Sequence, residues 1–174
     1  MKKILAVAAA LIMGAVSCFA ADPACGIWKS ISDETGEVTA IWKIYEQDGL
    51  LFGSIAAVVD NPQDVIASAC KESYKNFPVA GPVNKMHTVG TPWIFNMKND
   101  GKPGFWSKGH IIDPGNGKMY GCVIKHMPAG SDKKAPVETL GMAGTVGPIK
   151  VFQYWVRATE ADIADVQAKF PAAN

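Results

Sequence analysis

Ser107, His110 and Asp113 place a hydroxyl, an imidazole and a carboxylate in one short stretch, the side chains of a hydrolytic triad. That chemistry needs the nucleophile within hydrogen-bond reach of the base. The stretch 105–112 reads as a strand, on which positions 107 and 110 point to opposite faces. Ser107 also lacks the strained G-x-S-x-G turn that exposes a serine nucleophile. Met86-His87, Cys122 and His126-Met127 are soft or borderline ligands of the kind that suits Cu(I). Neighbours on a strand diverge, however, and Cys122 and His126 share a face about 13 Å apart at about 3.3 Å per residue. Methionines at such places more often fill gaps in a core. The glycine-rich run 141–147 is followed by no G-K-[ST] and opens no helix, so it is not a phosphate loop. Asp33, Glu34 and Glu37 sit around a turn and read as solvated surface. No catalytic set, metal site or cofactor is expected.

The elements around these residues point elsewhere. Residues 1–20 carry Lys2 and Lys3, an apolar run over 4–16, and small residues at the minus-three and minus-one positions of a cut after Ala20. That is the layout of a secretory signal peptide, and the run is too short to span a bilayer. A periplasmic or secreted protein is expected. Cys18 offers a lesser alternative, a lipid anchor after a cut just before it, although Ala15 stands where such sites carry a larger aliphatic residue.

The remaining 21–174 is enough for one domain with one core. Of 17 basic residues, loss of Lys2 and Lys3 leaves 15 against 16 acidic ones, a net charge of −1. No basic field exists to hold nucleic acid, and no second long apolar run exists to span a membrane. Export permits one disulfide between two of Cys25, Cys70 and Cys122, with the pairing open.

Turn signals punctuate the chain: Glu34-Thr35-Gly36, Asp48-Gly49, Asn99-Asp100-Gly101 and Asp113-Pro114-Gly115-Asn116-Gly117. Between them lie apolar, β-branched and aromatic runs that predict strands over 26–31, 38–46, 50–59, 93–97, 105–112, 118–127, 137–143 and 150–157. About eight antiparallel strands in a meander predict an all-β, up-and-down barrel, a size that either fills itself or holds one small ligand.

If Asp48-Gly49 is a two-residue turn, Gln47 pairs with Leu50 and Ile44 lies opposite Gly53. One face then collects Trp42, Ile44, Leu51, Ile55 and Ala57 and should point inward. The other collects Thr39, Ile41, Lys43, Tyr45, Phe52 and Ser54, and its apolar half needs cover or a partner. A short helix over 159–170 is the expected cover: Thr159 to Asp162 fits a capping box, and Ile163, Val166 and Phe170 share a face. The stretch 60–91 is long for a connection inside a compact domain and is expected to be a loop of the lid or binding type.

The chain has a single arginine, Arg157, at the end of the last strand. In a closed barrel the last strand neighbours the first. Arg157 can then meet Gly26-Ile27-Trp28 at one mouth and stack on the indole, closing that end of the barrel.

A G-x-W opening the first strand and an arginine near the last resemble the lipocalins. Gly26-Ile27-Trp28, Asp33 to Gly36, Ile44 to Gly49, Phe52 to Ile55, Lys108 to Pro114, Gly117 to Tyr120 and Trp155-Val156-Arg157 are similar to one branch in particular. It is the secreted bacterial family catalogued as domain of unknown function 2147. The stretch 79–92, Met142-Ala143-Gly144 and Val151-Phe152-Gln153 depart from that pattern, and only Cys70 stands where the family often has two close cysteines. The resemblance implies a lipocalin-like, calycin-type barrel and export, and no reaction. With a barrel of this kind the leading expectation is a small apolar or amphipathic ligand, lined by Trp42, Ile44, Leu51, Ile55, Phe95 and Tyr120, with the facing of the last two open. The second is an envelope interaction module with a filled barrel, binding a protein through Ile41, Tyr45, Phe52 and the long loop; an enzyme comes third.

Overall fold

The computed structural model describes residues 21–173. The expected signal peptide over 1–20, with Cys18, lies outside the described residues. Eight antiparallel strands close into a barrel in sequence order: β1 (Gly26–Ile31), β2 (Val38–Gln47), β3 (Leu50–Val58), β4 (Pro92–Asn99), β5 (Phe105–Asp113), β6 (Lys118–Met127), β7 (Thr139–Val146) and β8 (Ile149–Arg157). One helix, α1 (Glu160–Lys169), follows. Among the described residues no helix is long and apolar enough to cross a membrane.

The β2–β3 hairpin has the register expected from its turn. Gln47 pairs with Leu50 and Ile44 with Gly53. Asp48 and Gly49 both take positive φ, 53° and 74°, as a tight hairpin turn requires. Trp42, Ile44, Leu51 and Ile55 all join the interior cluster. Ala57 does not. Trp42 pairs with Ile55 but Ile41 pairs with Ala57, so Ala56 is an extra residue in β3. Such a bulge switches the face on which the following side chains project. It turns Ala57 outward, beside Ile41, Ala158 and Ile163, and returns Val58 to the interior.

Helix α1 covers that outer patch. Thr159 Oγ1 accepts from Asp162 N at 3.3 Å while Asp162 Oδ2 accepts from Thr159 N at 2.8 Å, the reciprocal capping box. Lys29 pairs with Asp162 at 2.6 Å and Lys43 with Glu160 at 3.0 Å, which pins the helix across β1 and β2. Ile41 is consequently 1% exposed and is not available to a partner. Tyr45 and Phe52 stay beyond the helix, half-buried and stacked at 5.9 Å.

The barrel is closed at the end where β1 begins. The Arg157 guanidinium lies 3.7 Å from the centroid of the Trp28 ring, and the two residues are register partners across β1 and β8. Arg157 also donates to Glu138 Oε2 at 3.1 Å and Oε1 at 2.6 Å, and to the carbonyls of Cys25 and Pro23 at 2.8 and 3.2 Å. A Cβ on Gly26 would run into the guanidinium, so the G of the G-x-W is the clearance for this contact. Trp28 Nε1 donates to Ala24 O at 2.9 Å. Asp22 accepts from Trp106 Nε1 and Gly104 N at 3.0 and 2.9 Å, which carries residues 22–25 across the barrel end. His126 Nε2 lies 2.9 Å from Glu138 Oε1, and its ring meets Trp28 edge-on.

The three described cysteines are unbridged, so the disulfide that export would permit is not formed here. They sit at different levels of the fold. Cys25 precedes β1 at the closed end, Cys122 faces the interior from β6, and Cys70 packs beside Gly117 at the far end of the barrel. The long connection is held instead by aromatic packing and hydrogen bonds. Phe77 packs on Trp93 and Phe95, and Tyr74 Oη donates to Gly117 O at 2.7 Å.

Trp28→Ala and Arg157→Ala should be non-additive, with a coupling of about 0.5–2 kcal/mol in a double-mutant cycle followed by urea unfolding; simple additivity would refute the closing role of the pair. Hydrogen bonds from Arg157 and then His126 bring Glu138 from an ordinary 4.5 down to about 2. Its contribution to stability is therefore present above about pH 4.5 and is lost as pH falls toward 2. Glu138→Gln should destabilise at neutral pH, and its deficit against the wild type should shrink across that acidic window. Burial pushes the Cys122 thiol up to about 12. Iodoacetamide should leave Cys122 unmodified in the folded protein and modify Cys25, Cys70 and Cys122 after unfolding without reductant; a bridge would spare two of them.

Candidate functional site

At the end opposite Trp28 and Arg157 the barrel is hollow. A cavity of about 720 Å³ opens there, lined from β1, β2, β3, β5, β6, β7 and β8 and from the long β3–β4 connection. The lining stops partway down each contributing strand. On β2 it includes Ala40 and Trp42 but not Ile44; on β3, Ile55 and Val58 but not Leu51. On β7 it includes Met142 and Gly144 but not Leu140; on β8, Gln153 and Trp155 but not Arg157. Below that level Trp28, Ile44, Leu51, Ile94, Met97 and Leu140 are each at most 2% exposed and fill the interior. Gly53 shows how tightly: a Cβ there would stand 2.6 Å from the Ile44 side chain and 3.1 Å from that of Ile94.

Trp42 and Trp155 stack at 5.0 Å between ring centroids and lie at the inner end of the cavity. Their indole N–H groups are satisfied by neighbours on the wall. Trp42 Nε1 donates to Ser30 Oγ at 3.3 Å, and Trp155 Nε1 to Gln153 Oε1 at 3.2 Å. The connection supplies the upper wall with Val65, Ile66, Ser68 and Thr88. It is held in place by a parallel bridge of Val89 to Ile55 and an antiparallel one of Ile66 to His87. The apolar lining continues over the rim onto the tip of the β7–β8 hairpin, where Val146, Ile149 and Val151 are 62–64% exposed.

Of the six lining residues expected from the sequence, Trp42, Ile55 and Tyr120 border the cavity. Ile44 and Leu51 face inward but belong to the packed half. Phe95 lies elsewhere: it shares Phe77 with Trp93 and stacks on His110, whereas the intervening Ile94 meets Gly53 inside. The loop covering this outer face makes Phe95 buried without making it interior to the barrel. Met142, Gln153 and Trp155 were legible from the same alternation that placed Trp42, had the Gly147-Pro148 turn been used to set their register. The loop residues had no local signal, since only their bridges to distant segments bring them to the wall.

The triad residues do not form a relay. Ser107 Oγ donates to Asp100 Oδ2 at 2.6 Å, the His110 ring lies 5.5 Å from that of Phe95, and Asp113 holds its own turn by accepting from Gly115 N at 2.8 Å. Hydrogen bonds from Ser107 and Lys108 lower the Asp100 carboxyl below its ordinary range, as befits a loop staple. His126 is engaged by Glu138, and His87 Nδ1 lies 3.1 Å from Asp64 O. Among the described residues no three His, Cys, Asp or Glu side chains gather as a metal site.

The fold has a solved counterpart. A protein of Helicobacter pylori, HP1028, described as belonging to the lipocalin family, superposes with a TM-score of 0.60 over 82% of this chain and 88% of its own. The two are 13% identical, so the likeness shows the barrel and nothing finer. Among curated proteins none matches the sequence. A family model described as "Uncharacterized protein conserved in bacteria (DUF2147)" matches residues 26–157, from the glycine that clears Arg157 to Arg157 itself. The chain, a lipocalin-like barrel closed at one end and hollow at the other, belongs to the bacterial DUF2147 family.

Proposed function

We propose that this protein binds a small apolar or amphipathic molecule in the open half of its barrel, and does so in the cell envelope after export. The observation that carries the reading is the cavity of about 720 Å³, within the usual range for small-molecule sites of about 300–1,000 Å³. Its inner end is a stacked tryptophan pair and its walls are mostly aliphatic, so an apolar group entering it exchanges water for apolar contact along the wall. The apolar rim on the β7–β8 hairpin suits a ligand longer than the cavity is deep. The signal-peptide pattern of residues 1–20 supports the envelope as the place of action. A partner-binding module with a filled barrel is less well supported, because the upper half is not filled and α1 covers Ile41.

The test is native mass spectrometry of protein purified from the envelope of its own host under several growth conditions. A stoichiometric extra mass that leaves on unfolding is expected. Ala40→Trp, which inserts an indole into the cavity from a wall position, should keep the wild-type circular dichroism and lose that mass. A consistently bare protein would overturn the reading in favour of a protein partner.

A further inference from the structure

The cavity wall has a charge pattern that narrows the ligand. Among its described lining residues there is no lysine, arginine or histidine, and the one charged residue is Asp113 at the mouth. Four basic side chains are committed elsewhere, and Lys118 and Lys150, which stand beside the mouth on β6 and β8, are not part of the lining. Arg157 is at the closed end with Trp28 and Glu138, Lys29 and Lys43 are held by the acids of α1, and Lys108 binds Asp100. A carboxylate or phosphate drawn into this cavity would give up hydration without meeting a cation on the wall. A cation fares little better. Asp113 is exposed, and its two oxygens already accept from Gly115 N at 2.8 Å and Asn116 Nδ2 at 2.7 Å. An ion pair at such a place is weak.

The wall does offer neutral dipoles. Ser68, Thr88 and Gln153 carry hydroxyls and a carboxamide among the aliphatic lining, whereas the Ser30 and Thr39 hydroxyls already bond to one another and to wall carbonyls. The Gln153 Oε1 accepts from Trp155, which leaves its amide N–H₂ as a donor for a ligand oxygen near the tryptophan pair. We infer that the cavity selects an uncharged amphiphile, an apolar chain or ring system carrying a hydroxyl, ester, ketone or amide, and discriminates against the corresponding acid or ammonium. The inference rests on the cavity-binding reading above and specifies its ligand class.

The experiment is isothermal titration calorimetry of the wild-type protein near pH 7 with decanol below its solubility limit, and with decanoate and decyltrimethylammonium below their micelle concentrations. The three share a chain and differ in head-group charge. Decanol is expected to bind roughly tenfold or more tighter than either charged probe. A smaller ratio for decanoate or for decyltrimethylammonium overturns the selectivity and leaves cavity binding standing. Binding of none of the three by protein with a folded circular dichroism spectrum removes the cavity-binding reading, and the selectivity with it.

Discussion

The contact between Arg157 and Trp28 holds together a seam that backbone pairing alone closes poorly. Strands β1 and β8 pair at only two positions, Trp28 with Arg157 and Lys29 with Val156, whereas β7 and β8 pair at eight. A short ladder leaves few backbone hydrogen bonds to resist opening. The side chains compensate at the same two positions. Arg157 stacks on Trp28, binds Glu138 through two nitrogens, and takes the carbonyls of Cys25 and Pro23. Lys29, on the opposite face, carries the ion pair to Asp162 of α1. A planar guanidinium can stack and donate in its plane at the same time, which an ammonium cannot do. One arginine therefore ties together the first strand, the last strand, the segment before β1 and the β6–β7 connection.

That closure sets where the barrel can be hollow. At the Arg157 end the tryptophans and aliphatic side chains interdigitate until Gly53 has no room for a methyl group. Further along, Ala40, Gly144 and the hydroxyl residues on the wall leave the interior open. The stacked pair of Trp42 and Trp155 marks the change. The division places the mouth beside the long β3–β4 connection.

The outside of the barrel is organised by a single extra residue. Without the bulge at Ala56, Ala57 would follow Ile55 inward and the outer face of β3 would lose its small apolar contact. With it, Ile41, Ala57 and Ala158 form a shallow apolar surface that receives Ile163 of α1. The helix then shields an apolar stretch of sheet that would otherwise face water, and its acidic first turn meets lysines of β1 and β2.

The sequence by itself determined the eight strands, the β2–β3 register, the capped helix and the meeting of Trp28 with Arg157. Each follows from a local code: a turn with two positive-φ residues, an alternation of period two, a capping box, or the adjacency of first and last strands in a closed meander. Of the expected lining, Trp42 and Ile55 border the cavity because they obey that alternation, and Tyr120, whose facing the sequence left open, borders it too. Only the tertiary structure decided the rest. Ala57 and Phe95 are apolar whichever face they take, and their placement depends on a bulge and on a distant loop that covers the sheet from outside. Ile44 and Leu51 point inward as read, but whether an inward residue borders space or a neighbour depends on side chains from strands far away in sequence. The three cysteines carry no local mark of how far apart the fold would leave them. A hollow is the difference between the volume that strands enclose and the volume that side chains fill, and neither quantity exists until the barrel has closed.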